Sequence, residues 1–284
     1  TLVFRRRKLS GAKLLLDEAS VTATENILMA AALAAGETSI YNAACEPHVQ
    51  DLCRLLQAMG VSIDGVGTNL LTIRGRKKLG GAEYTIGPDY IEIGSFLAAS
   101  MVTGGELTVA GVAGDTSLEI VRRAFSKLGA RWQERGSSLY LPARKRLRIT
   151  NDFGSAIPKI EDGIWPAFPS DLMSVAIVAA TQATGSVLFF EKLFESRMYF
   201  VDRLIEMGAR IVQCDPHRVL VQGPARLHGI HMTSPDIRAG MSMLIAALAA
   251  KGTSVIDNAE VIDRGYESID ERLRALGAQI ERKE

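Results

Sequence analysis

The chain has 284 residues, 47% of them hydrophobic and 23% charged, with a formal net charge of +1 at pH 7. That balance belongs to an ordinary folded globular protein long enough for two domains, and it offers no global attraction to nucleic acid or to an anionic membrane surface. The three cysteines, Cys45, Cys53 and Cys214, form no C-x-x-C pair and leave an odd count, which argues against a disulfide framework and for a reducing, cytoplasmic setting. The four histidines are scattered; His228 and His231 fall in a predicted strand, where a spacing of three turns them to opposite faces, so no metal site is expected. No apolar run reaches the ~18 residues of a membrane span, and no signal peptide is read. The basic runs Arg5-Arg6-Arg7-Lys8, Arg74 to Lys78 and Arg144 to Arg148 lie between periodic segments and read as solvated loops or strand ends. The chain starts at Thr1 rather than at a methionine, which reads as a piece of something longer.

In chain order, one unit recurs four times. Ala35-Gly36-Glu37-Thr38-Ser39-Ile40 is repeated as Thr103-Gly104-Gly105-Glu106-Leu107-Thr108-Val109, as Ala183-Thr184-Gly185-Ser186-Val187-Leu188 and as Lys251-Gly252-Thr253-Ser254-Val255-Ile256. About two dozen residues after each comes a second signature: Met59-Gly60-Val61, Leu128-Gly129-Ala130, Met207-Gly208-Ala209 and Leu276-Gly277-Ala278. Each unit predicts a short strand (Lys13 to Leu16, Tyr84 to Ile86 or Ile230 to Met232), then a helix apolar on nearly every side, as in Ala239 to Leu248, closed by a glycine. A β-branched strand follows, then an amphipathic helix such as Ser117 to Leu128, a second closing glycine, and two strands such as Arg131 to Gln133 and Ser138 to Leu141.

A helix with no polar face must be covered all round. The pattern therefore predicts an inside-out α/β architecture, with these helices bundled at the centre and sheets around them. It argues against a doubly wound sheet, and Gly65-Val66-Gly67 has no helix after it and is no dinucleotide fingerprint.

The third unit opens with Trp165-Pro166-Ala167-Phe168-Pro169-Ser170-Asp171, where two prolines hold the entry extended and place Asp171 at the helix start. Asp at such a position is most simply an N-cap. The equivalent starts are Ser20-Val21, Pro88-Asp89 and Pro235-Asp236. Arg238 follows Asp236 within one turn, and Arg197 and Arg264 stand at the predicted entries of second helices. Cations are unfavourable at the positive end of a helix dipole unless an anion offsets them, so a rigid carboxylate with three such arginines reads either as a site for a multiply charged anion or as a structural ion-pair network.

These residues resemble the enolpyruvyl transferases. The resemblance rests on Pro166-Ala167-Phe168-Pro169-Ser170-Asp171, Phe194-Glu195-Ser196-Arg197, Asp236-Ile237-Arg238, Ile262-Asp263-Arg264-Gly265-Tyr266, Pro88-Asp89-Tyr90-Ile91-Glu92 and Ser20-Val21, in the family's order across essentially the whole chain. It implies two inside-out α/β domains, with residues 1–87 the last repeat of a first, incomplete domain and residues 88–284 a second domain of three repeats. It implies transfer of the enolpyruvyl group of phosphoenolpyruvate to a hydroxyl of UDP-N-acetylglucosamine, by addition and elimination, in peptidoglycan precursor synthesis, with no metal or organic cofactor.

On that resemblance Asp171 is the general base, and Arg197, Arg238 and Arg264 hold the carboxylate and phosphate charge. Asp236 orients them; Glu18, Ser20, Val21, Asp89, Glu92 and Leu193 line the substrate site. The family's N-terminal third, with its Lys-Asn pair and its mobile loop acid, has no counterpart here and is an implied partner of this chain. Glu18 stands where the family usually has lysine, Trp165 where it has histidine, and Tyr90 and Ile93 where it has arginine and threonine. Those departures leave open a different acceptor, or a non-catalytic remnant.

Overall fold

A computed structural model describes residues 3, 8–144 and 146–283, and it divides into two compact units. Of the basic runs, Arg5 to Arg7 and Lys145 lie outside the described residues. The first unit runs to Pro88 and includes Ile164–Pro166; the second comprises Asp89–Gly163 and the chain from Ala167.

The first unit is one repeat: β1 (Lys13–Leu15), α1 (Val21–Ala31), β2 (Glu37–Tyr41), α2 (Pro47–Ala58), β3 (Ser62–Asp64) and β4 (Leu70–Arg74). Its sheet has the order β1-β2-β4-β3, with β1 parallel to β2 and the other pairs antiparallel. Alternation in β4 sends Leu71 and Ile73 inward against Leu28, Ile40, Val49 and Leu56. Helix α1 buries only the stripe Thr24, Leu28 and Ala31, while Met29 is 51% exposed. The all-apolar reading of the first helices does not extend to it, because Glu25 and Asn26 give it a polar side.

In the second unit the same order recurs. Its first repeat has α3 (Tyr90–Thr103), β5 (Leu107–Val109), α4 (Leu118–Lys127), β6 (Gln133–Arg135) and β7 (Ser138–Leu141), with sheet order β5-β7-β6. The next has β8 (Leu147–Arg148), β9 (Lys159–Glu161), a 3-10 turn at Ser170–Leu172, α5 (Met173–Thr181), β10 (Ala183–Phe190), α6 (Val201–Glu206), β11 (Arg210–Asp215) and β12 (Arg218–Gly223). Here β10 takes β8 and β9 as parallel partners at its two ends and β12 as its antiparallel one, and β11 completes the sheet beside β12. The last has β13 (His231–Thr233), α7 (Ile237–Ala249), β14 (Val255–Asp257), α8 (Glu260–Asp263) and α9 (Ile269–Ala275), with β13 parallel to β14.

Helices α3, α5 and α7 pack pairwise against one another, as their lack of a polar face requires. Every residue of α5 is buried, and each fully buried Val or Ile there contributes about 1.5–3 kcal/mol. Gly94 lets α3 close on the α5 entry: a Cβ there would lie 2.8 Å from Leu172 Cδ1. The buried hydroxyls of Ser95, Thr181 and Ser242 are satisfied by carbonyls of their own helices.

Three expectations change. No strand forms at 84–86; instead Tyr84 Oη donates to Asp51 Oδ1 at 2.9 Å and Gly87 N to Asp51 Oδ2 at 2.8 Å, so the segment is tied to α2 by its polar groups rather than by a ladder. Strand β6 begins at Gln133 rather than Arg131. The last repeat ends without the final strand pair among the described residues, and Arg282 folds back onto Asp263 at 2.6 Å and Asp270 at 3.0 Å.

The second glycine of each repeat does one job four times. Gly60, Gly129, Gly208 and Gly277 have φ of 99°, 97°, 101° and 100°, and each follows the last residue of a second helix. In every case the glycine N–H donates to the carbonyl three residues back and the next residue's N–H to the carbonyl five back, as in Gly129 to Ser126 and Ala130 to Phe125. These are Schellman closures, each with an apolar pair across it. The first glycines are less uniform: Gly104, not Gly105, is the left-handed cap of α3, while Gly36 and Gly252 sit in the turn before the strand. Gly277→Ala meets no neighbour and should cost about 1–2 kcal/mol from backbone strain alone. Gly129→Ala also drives a Cβ to 2.7 Å from Arg148 N and should cost clearly more in the same chemical denaturation experiment.

Candidate active site

The starts of α3, α5 and α7 come together at one end of the helix bundle. Ser174 Oγ donates to the Arg238 carbonyl at 3.0 Å, Ser95 Oγ and Tyr266 Oη lie 2.8 Å apart, and Arg238 Nη1 donates to Tyr266 Oη at 3.4 Å. Asp236 caps α7, accepting from Arg238 N at 2.7 Å and Ala239 N at 2.9 Å. Asp89 caps α3 in the same way through Ile91 N and Glu92 N.

Asp171 does not cap. It sits inside the 3-10 turn, and neither that turn nor α5 has a side-chain cap. Its carboxylate is turned instead to two guanidinium groups: Oδ2 lies 2.8 Å from Arg238 Nη2 and Oδ1 3.6 Å from Arg197 Nη2. Pro169, extended at φ −73° and ψ 136°, and the Leu172 N–H to Pro169 carbonyl bond fix the turn that aims it. Burial works against the Arg238 charge, but Asp171 and Tyr266 outweigh it and hold the guanidinium ionised above its usual range. Arg197 rides on the Phe194 ring, its guanidinium carbon 4.7 Å from the centroid.

Behind this pair lies a second acidic layer that the pattern of the sequence did not bring forward. Glu191, at the end of β10, and Asp162, after β9, are 1% and 0% exposed. The Ser170 hydroxyl lies 2.9 Å from both Glu191 carboxyl oxygens, and Glu191 Oε1 accepts from Phe194 N at 3.3 Å. Asp162 accepts from the Lys192 and Leu193 N–H groups. Burial first, and then the facing Asp162 carboxyl, push Glu191 up to about 8, with Ser170 and Arg197 pulling the other way. The signal was an acid placed directly after Phe189-Phe190, at the buried end of an apolar strand. Ser170, Glu191, Arg197, Asp236 and Arg238 line one small cleft.

Of the other expected residues, Arg264 is not at a helix entry. It caps the C-terminal end of α8, is exposed, and forms no ion pair with the described residues. Its neighbours do reach the cleft: Tyr266 bonds Arg238, and a Cβ on Gly265 would lie 3.4 Å from Arg238 Nη1. Glu92 pairs with Arg272, and Leu193 is exposed at its place on the loop held by Asp162. Glu18, Ser20 and Val21 belong to the first unit, where Ser20 Oγ caps α1 through Ala23 N at 3.3 Å and Glu18 is exposed.

A hollow of about 320 Å³ in the first repeat of the second unit, beside Trp132, carries acids already engaged: Asp115 with Ser117, Glu119 with Arg122 and Glu134 with Gly114. Among the described residues, no three His, Cys, Asp or Glu side chains gather as metal ligands, and no helix is long and apolar enough to cross a membrane.

Comparison with known proteins places this geometry. The chain is 56% identical over 281 residues to a UDP-N-acetylglucosamine 1-carboxyvinyltransferase of Bradyrhizobium diazoefficiens, covering 99% of this chain and 65% of that protein. It is 54% identical over 281 residues to the protein of that name in Treponema denticola, covering 99% and 66%. The chain thus spans about 65% of the length of the curated relatives it matches. Among solved structures, the enolpyruvyl transferase NikO of Streptomyces tendae superposes with a TM-score of 0.80 at 25% identity, covering 92% of this chain and 60% of that one. An EPSP synthase of Acinetobacter baumannii shares the fold, with a TM-score of 0.73 over 98% of this chain and 64% of that one at 20% identity. The family model described as EPSP synthase (3-phosphoshikimate 1-carboxyvinyltransferase) matches residues 2–273, and the chain belongs to that family, with the enolpyruvyl transferase fold.

Proposed function

We propose that this chain forms the greater part of an enzyme that moves the enolpyruvyl group of phosphoenolpyruvate onto a hydroxyl of UDP-N-acetylglucosamine, releasing phosphate, in peptidoglycan precursor synthesis in the cytoplasm. The observation that carries the reading is the Asp171 carboxylate held between Arg238 and Arg197, both of which line the small cleft. The acceptor follows from relatives at 54–56% identity, which bear the name of that transferase. The family model's description names a different acceptor, so it supports the reaction class alone. On this reading residues 1–87 are the last repeat of a first domain, residues 88–284 the three repeats of a second, and the rest of the first domain is contributed by sequence outside this chain.

The chemistry needs two things that the cleft supplies. Phosphoenolpyruvate carries carboxylate and phosphate charge, and Arg197 and Arg238 offer guanidinium forks for it, with the exposed Arg264 assigned to the same charge on this reading. Asp171 accepts the proton of the acceptor hydroxyl as its oxygen adds to C2 of phosphoenolpyruvate, while C3 takes a proton from an acid supplied by the sequence outside this chain. Loss of a C3 proton and of phosphate from the tetrahedral intermediate then restores the double bond in the product. With no substrate bound, Asp171 holds the arginines; an incoming anion competes for the same N–H groups and leaves the carboxylate facing the hydroxyl. Asp236 and Tyr266 support the reading by fixing the two ends of Arg238, its backbone N–H and its Nη1.

In a full-length enzyme of this sequence, Asp171→Asn should lower phosphate release from phosphoenolpyruvate plus UDP-N-acetylglucosamine by roughly 10²–10⁴-fold, the usual worth of a general base, with phosphoenolpyruvate binding retained. Turnover near the wild-type rate in that variant would remove Asp171 from the mechanism. Tyr266→Phe takes one hydrogen bond from Arg238 and removes the second contact of the buried Ser95 hydroxyl, which keeps its bond to the Ile91 carbonyl. It should cost about 1–2 kcal/mol in thermal unfolding and raise KM for phosphoenolpyruvate more than it lowers kcat.

A further inference from the structure

We infer that Glu191 is a positioning residue of this site, a carboxyl kept uncharged by sharing a single proton with Asp162, so that Arg197 is left free to face Asp171 and an anionic substrate. The inference rests on the reading of the cleft as a site for a substrate bearing carboxylate and phosphate. Its basis is geometric. Two carboxyl groups that face each other at 0% and 1% exposure cannot both be ionised without a cation between them. Among the described residues no cation is ion-paired with either carboxyl: Lys192 is drawn 3.5 Å onto Glu161, and Arg197, though near enough to favour the charged form of Glu191, is engaged with Asp171. Asp162 has two backbone N–H donors, from Lys192 and Leu193. Glu191 has one, from Phe194, together with the Ser170 hydroxyl.

The groups packed around Glu191 come from every neighbouring element. Asp162 faces it from the end of β9, Ser170 from the turn before α5 and Arg197 from the turn before α6. His217, from the β11–β12 turn, meets only its backbone, with Nδ1 3.0 Å from the Glu191 carbonyl. Through Phe194 N and the paired Asp162, Glu191 holds the 192–194 loop that leads into Arg197. As long as Glu191 is protonated, it shapes that loop without competing for the guanidinium. Once it ionises, near pH 8, a buried negative charge stands behind Arg197 and repels an incoming anion.

Two measurements on the full-length enzyme test this, with Glu191→Gln as the neutral isostere. First, KM for phosphoenolpyruvate should rise roughly tenfold between pH 7 and 9 in the wild type beyond any rise in the variant. Second, a carboxyl whose folded pKa is raised from 4.5 to about 8 costs stability progressively as pH climbs through that window. The wild-type Tm should therefore fall relative to Glu191→Gln from about pH 4.5 to pH 8 and run parallel to it above. A Tm difference that does not change with pH, or an alkaline rise in KM that survives in Glu191→Gln, overturns the inference. Absence of phosphate release from the wild type at every pH would instead defeat the functional reading, and the melting comparison would still decide the shared proton. If Glu191→Gln does not fold, Asp162→Asn serves: it should move the wild-type alkaline limb to lower pH, and an unmoved limb is equally fatal.

Discussion

Three helices that cannot face water set the plan of the second unit. Because α3, α5 and α7 have no polar side, each must be enclosed by the other two and by the sheets, and Gly94 lets α3 close on the entry to α5. Their starts then meet at one end, where bare N–H groups and positive dipole ends collect. Asp89 and Asp236 satisfy two of these starts as caps. At the third, the cap is forgone: the 3-10 turn carries Asp171 outward to the arginines. The departure from local helix chemistry at that one start is what separates a carboxylate turned to guanidinium groups from two that cap helices.

The charges at that end form two tiers of different character. Asp171, Arg197 and Arg238 are partly exposed, in reach of solvent and of a ligand. Asp162 and Glu191 are sealed beneath them, bound to backbone N–H groups and to the Ser170 hydroxyl. Ser170 and Asp171 are adjacent in the chain, so a single turn joins both tiers: one residue faces inward to the buried acid and the next faces outward to the guanidinium groups. Arg238 is tied equally tightly, with its amide on Asp236, its carbonyl on Ser174 and its guanidinium on Asp171 and Tyr266.

Much of this was legible in the order of residues, because repetition turns weak local signals into strong ones. Four glycines at matching places, each between an apolar pair, announced four helix ends that the structure closes with the same two hydrogen bonds. The unbroken apolar runs of α5 and α7 announced a central bundle. What was not legible depended on contacts distant in sequence. Asp51 holds 84–87 by its polar groups where a strand is expected, and Arg282 reaches back to Asp263. Arg264 follows a short helix that local spacing could not tell from the start of a longer one. Asp162 and Glu191 gave no motif, since an acid at a strand end is ordinarily solvated and only the packing of β9, β10 and the 3-10 turn reveals that these two are not.

The hold of Arg282 on Asp263 and Asp270 gives the molecule an uneven response to ionic strength. Beyond its buried Ile262, Tyr266 and Ile269, the segment bearing Arg264 is fastened on its outer side by ion pairs of a partly exposed arginine, and such pairs weaken as added salt shortens the reach of the field between them. The helix bundle beneath is held by surface withdrawn from water and is indifferent to that screening. Brine therefore loosens this outer fastening while leaving the bundle intact.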